Sequence, residues 1–224
     1  MISIIIPILN EEGTIEKTLD QLSKLEGDKE IIVVDGGSTD NTVEIANKYC
    51  TVINSPKGRA RQMNCGAQIA KGNILWFFHS DSKASVDSLN SIKNTIDDGY
   101  IGGGFQLYFY DLDTLFMKFI AKTSNIRAKY FHLFFGDQGI FVRKDVFEYM
   151  NGYKDIELME DFDFSRRFHK LGKTKMTESK IGTSARRFNS GGQLKTFFLM
   201  KKIQLLYILG TPPSKLNQMY REVR

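Results

Sequence analysis

Apolar residues in the first hundred positions follow two alternating rhythms. Nearly continuous runs at Ile2 to Ile8, Glu30 to Asp35, Thr51 to Asn54 and Asn73 to His79 read as strands covered on both faces. Between them Ile15, Leu19, Leu22 and Leu25 recur at helical spacing, and Val86, Leu89, Ile92 and Ile96 repeat the stripe after the fourth run. Both stripes are assigned to the core. Strand and helix alternating in this way predict a parallel sheet wrapped by helices. The second half is less regular: Gly102 to Tyr110 and Gly139 to Arg143 read as strands, and helical patterns dominate after them. Asp113 to Phe135 and Gln193 to Leu209 mix aromatic residues and methionine with lysine. In the second of these, Lys201 and Lys202 interrupt the apolar run well short of the ~20 residues a spanning helix needs. Thr211 to Ser214 (TPPS) then ends that helix, and Lys215 to Arg224 reads as a polar finish.

Ligands of open α/β sheets bind beyond the carboxyl ends of the strands, a rule that selects Asn10 to Glu12, Asp35 and His79 to Asp81. The richest of these is EIIVVDGGSTDNT. Gly36 and Gly37 permit a sharp exit from the strand, and Ser38, Thr39 and Asp40 offer caps to a helix from about Thr42 to Tyr49. Asp35 fits a hydrogen-bond acceptor for a base or ribose, and equally an ordinary capping aspartate. In NILWFFHSDS, Asp81 has no packing role at the strand mouth, and one carboxylate suffices for a hard cation if a diphosphate completes the shell. Ser82 reads as a helix cap. Lys57, Arg59 and Arg61 precede a helix as phosphate contacts or as solvated charges.

In LMEDFDFSRR, Glu160, Asp161 and Asp163 are crowded enough that repulsion should raise the proton affinity of one of them. A base acting on a sugar hydroxyl must be ionised, within reach of the proton and shielded from water. Asp161 at a helix start meets those demands better than any of the three histidines. Glu160 also fits an acidic first turn that complements the helix dipole. FFGDQGIFVRK brings Asp137 and Gln138 close to a partner, with acceptor contact as one reading, and Arg186 and Arg187 can neutralise a diphosphate.

Composition narrows the classes. With 224 residues, 42% of them apolar and 25% charged, the chain suits one domain with a terminal extension. A net charge of +5, with no lysine-rich arm or zinc-finger spacing, suits an anionic ligand or lipid surface and excludes nucleic acid as partner. Cys50 and Cys65 form no disulfide or zinc pattern and are expected as buried thiols in a reducing compartment. MISIIIPILNEEG reads as a first strand and not a signal peptide, so the expected location is the cytoplasm, extending to the inner face of the plasma membrane. A dinucleotide-binding oxidoreductase is excluded because no GxGxxG follows the first strand. Asn10, Glu11 and Glu12 would repel a triphosphate, which weighs against the alternative of a nucleotidyltransferase. The other alternative is a membrane-surface binding module without turnover.

Five blocks in order, IIPILNEEGTIEKTL, VVDGGSTDNT, NCGAQIAKGNILWFFHSDS, GDQGIFVRK and MEDFDFSRR, give a chain that resembles the family 2 glycosyltransferases over most of its length. The resemblance implies the GT-A fold, an α/β architecture with a Rossmann-like, mostly parallel central sheet flanked by helices. That domain would cover residues 1–190, with a nucleotide-sugar half to about 110 and an acceptor half from about 111. An amphipathic helical extension would cover 191–224. It further implies an inverting hexosyltransferase of cell-envelope glycan with a UDP-linked donor and a glycan or lipid-linked acceptor. Pro7, Asn10, Glu12 and Asp35 would surround the nucleoside, with Gly36, Arg61 and His79 in the same donor site. Asp81 would hold Mn²⁺ or Mg²⁺, Asp161 would be the base, and Asp137, Gln138 and Glu160 would face the acceptor. Arg186 and Arg187 fall where relatives carry a QxxRW-type element. Two departures, His79 in place of the first Asp of the DxD-like element and SARRF in place of QxxRW, leave open whether His79 meets ribose, meets metal or caps the strand. The aromatic faces of 113–135 and 193–209 leave peripheral membrane contact, a homodimer contact and internal packing open.

Overall fold

β1 (Ile2–Ile8) is buried along nearly its whole length. It pairs in parallel with β2 (Lys29–Asp35) on one side and β4 (Ile74–Phe77) on the other. β3 (Thr51–Asn54) continues the parallel set beyond β2. The computed structural model describes residues 1–221, and among these it has one eight-stranded sheet. β5 (Ser82–Ala84), β6 (Gly102–Phe109), β7 (Phe141–Arg143) and β8 (Thr174–Thr183) complete it in the order β3-β2-β1-β4-β7-β6-β8-β5. The first four strands in that order are parallel; β7 runs antiparallel to both β4 and β6, β6 is parallel to β8, and β5 is antiparallel to β8.

Helices cover both faces. The first layer joins α1 (Ile15–Ser23) to Trp76, Phe78 and Phe105, and includes Leu89 and Ile92 of α4 (Ser88–Asp97). The second packs α3 (Arg59–Ile69) through Ala60, Met63 and Ala67 against Ile5, Val34 and Phe77, and extends to Phe164 and Phe168 of α7 (Glu160–Phe168). α5 (Leu115–Phe131), α8 (Arg186–Gly191), α9 (Gln193–Ile208) and α10 (Pro213–Arg221) gather over the far half, with α2 (Thr42–Ala46) and α6 (Lys144–Tyr149) as short connectors. No helix among the described residues is long and apolar enough to cross a membrane.

Several expectations need correction. Val86, counted as core, is 87% exposed because it lies in the turn between β5, which ends at Ala84, and the helix, which begins only at Ser88. β8 is a ten-residue strand where helix was expected. Its buried positions include Thr174, Thr177, Ser179 and Thr183, so period-two burial exists without the apolar alternation that betrays a strand. The helix after Asp35 stops at Ala46, short of Tyr49. Cys50 and Cys65 are free thiols but only half-buried. Pro213 opens α10 where a polar finish was read, and Leu216 of that helix is fully buried; residues 222–224 of the expected extension lie outside the described residues.

Two features of the sheet position its carboxyl edge. Gly102 and Gly103 let β6 approach its neighbours, since a Cβ on Gly103 would fall 1.8 Å from the Lys175 carbonyl oxygen and one on Gly102, at φ 153°, 2.2 Å from that of Phe141. Gln62, 5% exposed, donates from Nε2 to the carbonyls of Ile8 (2.7 Å) and Val34 (2.8 Å), closing the ends of β1 and β2 where their ladder runs out. Gln62→Leu keeps the volume but removes both bonds, leaving Ile8 O only the Gly36 amide (3.0 Å), and is expected to lower unfolding stability by about 1–3 kcal/mol in urea denaturation.

Candidate active site

The carboxyl ends of β2, β1 and β4 lie side by side, so the loops carrying Asp35, Asn10 and Asp81 leave the sheet along one rim. Asp35, 4% exposed, accepts from the amides of Gly37 (2.9 Å) and Ser38 (3.0 Å) and from Ser38 Oγ (2.6 Å). This is the self-capping turn that its short side chain favours. The same hydroxyl accepts from Asn10 N (2.9 Å), while Asn10 Oδ1 accepts from Thr39 N (2.8 Å) and Glu12 Oε2 from Asn41 N (3.1 Å). Asn10 and Glu12 therefore lace the β1 loop to the β2 loop, with Asn10 held at φ 53°. Gly36 rests against Gln62, and half-buried Pro7 lies in β1 beyond its last β4 pair, where its missing N–H leaves no ladder bond unmade.

The loop after β4 is pinned from α1, with Thr18 Oγ1 donating to Ser80 O (2.6 Å) and Gln21 Nε2 to Ser82 O (3.0 Å). Ser82 itself starts β5 and is not a helix cap. Asp81 is enclosed rather than open to solvent, its side chain 15% exposed, and burial raises its carboxyl above the ordinary value while Arg186 opposes that rise. Arg186 Nη2 sits 3.3 Å from Asp81 Oδ2 and 2.9 Å from Glu11 Oε1, and Nη1 donates to Glu11 Oε2 at 3.1 Å. Arg187 instead stacks on the Tyr220 ring at 3.8 Å. His79 is deeply enclosed; burial, with the Arg59 and Arg186 charges beside it, pushes its ring down to about 3, so it is a neutral imidazole.

α7 delivers the acidic cluster. Met159 enters the helix at φ 70°, a conformation uncommon for a long side chain and concentrated at functional sites. Asp161 Oδ2 accepts from Gly136 N (2.8 Å), and a Cβ on Gly136 would lie 2.7 Å from His79 Nε2 and 3.6 Å from Asp161 Oδ2. That glycine lets His79, of the β4 loop, pack against a 3-10 turn at Gly136–Gln138 whose first amide holds Asp161, of α7. Glu160, 3% exposed, faces Arg59 Nη1 at 3.5 Å and is the carboxyl pushed up, to about 7, by burial first and by Asp161 as well, with Arg59 opposing. Asp163 turns away to Lys154 (2.8 Å) and Arg167 (2.7 Å). Asp137 keeps one enclosed oxygen, Oδ1, without a hydrogen-bond partner, and burial pushes it to about 6, with Asp161 and Asp81 adding to the rise against Arg127 and Arg59.

Asp81, Asp137, Glu160, Asp161 and His79 are thus brought together, with Asp35, Asn10 and Glu12 along the same rim. Gln138 is not available to an acceptor: it is fully buried, accepting from Arg127 Nη2 (2.7 Å). Arg61 is committed to Asp155 at 2.8 Å, and the arginine of that turn which reaches the acids is Arg59. Arg127 escaped sequence reasoning, and Glu11 was singled out there without its arginine partner. Arg127 stacks on Phe135 at 3.7 Å and bonds Leu133 O, contacts no local spacing announces; Glu11 was legible only as part of the NEE run.

The rim suits a hard divalent cation. Among the described residues no three His, Cys, Asp or Glu side chains are arranged to hold a metal alone, so such an ion would rest on Asp81 and take its remaining oxygens from a substrate. The raised carboxyl of Asp81 and the orphaned Asp137 Oδ1 are the surplus of oxygen donors expected there.

The family model described as "Glycosyl transferase family 2" matches residues 3–150. A probable glycosyltransferase of Bacillus subtilis, YdaM, is 27% identical over 199 residues, covering 76% of this chain and 47% of YdaM. The Escherichia coli UDP-Glc:alpha-D-GlcNAc-diphosphoundecaprenol beta-1,3-glucosyltransferase WfaP is 40% identical over 120 residues, 50% of this chain and 48% of WfaP. This chain therefore spans about half the length of these two relatives. Among solved structures, the mannosyltransferase PcManGT from Pyrobaculum calidifontis, in complex with GDP-Man and Mn²⁺, superposes with a TM-score of 0.69 at 15% identity, covering 99% of this chain and 69% of that one. The fold is GT-A.

Glu160 gives this site a pH signature. Its folded-state value lies above the ordinary 4.5, so the folded chain holds a proton that the unfolded chain has lost, and its contribution to stability falls as pH rises from 4.5 to about 7. Thermal melts from about pH 5 to about pH 8 should show Glu160→Gln gaining stability relative to the parent as pH rises.

Proposed function

The chain belongs to glycosyl transferase family 2, and on that premise we propose that it transfers a sugar from a UDP-linked donor to an acceptor hydroxyl with inversion at the anomeric carbon. The observation that carries the reading is the Gly136 amide on Asp161 Oδ2, which, with His79 packed against the same glycine, holds a carboxylate at a helix start beside the loop that carries Asp81. Support for a UDP donor and a lipid-linked acceptor comes from the printed name of WfaP, and support for a divalent ion from the Mn²⁺ in the PcManGT complex. In this reading residues 1–190 form the catalytic domain, 191–224 an extension, and the product belongs to a cell-envelope glycan.

The acceptor oxygen attacks the anomeric carbon as its proton passes to Asp161, and the bond from that carbon to the diphosphate oxygen breaks. Asp161 is held for this by the Gly136 amide on Oδ2 and its own α7 amide, Phe162 N, on Oδ1 (2.7 Å). Arg186 exchanges Glu11 and Asp81 for the departing diphosphate, and Arg187 adds charge from the next position. Asp81 would hold a divalent cation, Mn²⁺ or Mg²⁺, which would supply Lewis-acid stabilisation of that leaving group. The neutral ring of His79 adds no charge to a site already crowded with acids. Asp35, with Asn10 and Glu12 fixing its loop, meets the nucleoside, while Glu160 and Asp137 border the acceptor.

Asp161→Asn should lower kcat by about 10²–10⁴-fold in a sugar-transfer assay while calorimetric UDP affinity stays close to that of the parent. Near-parental turnover removes Asp161 from the mechanism. Asp81→Ala, or chelation by EDTA, is expected to abolish the metal-dependent part of UDP binding, and a parallel titration with GDP reports the base preference. Metal-independent binding of equal strength in the parent and Asp81→Ala contradicts the assignment of Asp81.

A further inference from the structure

α9 is apolar on two faces. Its inner side buries Thr196 and Ile203, with Leu199 and Tyr207 packed beside them. The outward positions of a water-facing helix are polar, yet here Leu194, Phe198, Leu205 and Leu209 are exposed in a row, Phe198 by 65%. Phe197 joins this helix to α5, with ring centroids 5.6 Å from Phe116 and 6.4 Å from Phe119, so exposed Leu115 and Phe119 continue the same patch. Lysines 195, 201 and 202 lie on this helix among these positions, and α5 carries Lys122 and Lys118, the latter paired with Asp113 at 2.8 Å.

The charge distribution is as uneven as the apolar one. From Arg186 to Arg221 the sequence has seven Lys and Arg and no Asp or Glu, more than the net +5 of the whole chain, so the remainder is net negative. α5 also has no acidic residue. We propose that the outward face of α5 and α9 rests on an anionic lipid bilayer, its apolar side chains entering the headgroup boundary and its lysines meeting lipid phosphates. A two-fold contact between copies would set these lysines against their own counterparts, whereas an anionic surface complements them. No helix among the described residues is long and apolar enough to cross a membrane, and the proposed contact lies along the bilayer surface.

The location relates this face to the site. The inner side of α9 packs on the turn that carries Asp161, with Tyr207 5.7 Å from the Phe162 ring, so the bilayer would lie about one helix diameter, ~10 Å, from the acidic cluster on the acceptor side. The attachment itself does not depend on the proposed transfer reaction.

The test is flotation of the full chain with vesicles of phosphatidylcholine alone and with about one third phosphatidylglycerol, at low and high salt. Binding is expected with the anionic vesicles at low salt, weakened by salt and by removal of phosphatidylglycerol. A Phe198→Asp, Lys202→Glu double variant should lose about tenfold in vesicle affinity, with its circular-dichroism melt and UDP calorimetry unchanged from the parent. Leu194→Gln, at the other end of the patch, should weaken binding in the same direction. Absence of flotation, flotation indifferent to these variants, or a dimer in sedimentation that the double variant dissociates overturns the proposal. UDP binding is read separately, so a failed donor assignment and a failed membrane assignment give different results.

Discussion

Four carboxyl groups, those of Asp81, Asp137, Glu160 and Asp161, gather at one rim, where Asp161 raises Glu160 and, with Asp81, raises Asp137, and the site depends on the arginines that hold this charge in balance. Arg59 opposes the rise of Glu160, Asp81 and Asp137; Arg186 pairs with Asp81 and Glu11; Arg127, buried under Phe135, faces Asp137 and Asp161. The balance is incomplete. Three of the four carboxyls are raised above their ordinary values, and one oxygen of Asp137 has no partner. An enclosed cluster in that condition is suited to a cation or a proton.

The arginines come from three separate helices, which explains the breadth of scaffold behind a small site. Arg59 begins α3, whose body packs on β1 and β2; Arg127 is near the end of α5; Arg186 begins α8. Gln62, on the same helix as Arg59, closes the carbonyl ends of β1 and β2, so one element both finishes the sheet edge and supplies a cation to its rim. Gly136 has the complementary role. A Cβ there would fall 2.7 Å from His79 Nε2, so its absence lets the β4 loop pack against the turn whose amide holds Asp161.

The half of the fold nearest the N-terminus was legible because its strands announce themselves by unbroken apolar runs and its helices by stripes that repeat every turn. The four parallel strands stand where those runs do. Legibility failed where burial was achieved by other side chains. β8 buries threonine and serine, β5 is three residues long, and Val86 extended an apolar spacing although nothing packs over it. At the site, Asp81 and Asp161 could be singled out because an acid bordering an apolar run needs a reason, whereas Gln138 and Arg61 looked equally free. Their partners, Arg127 and Asp155, are remote from any local pattern: Asp155 is 94 positions from Arg61.

By itself the sequence determined the class of the fold, the order of its first strands and which carboxylates stand at strand and helix ends, because periodicity and turn chemistry are properties of neighbouring residues. Tertiary structure alone decided which of those groups share a rim, that Arg59 rather than Arg61 reaches the acids, and that Glu160 is pushed up. Such properties arise from burial and from charges brought together across the chain, over separations as large as the 175 residues between Glu11 and Arg186. No local spacing records contacts of that kind, since the distance between two such side chains is fixed only when every element between them has packed.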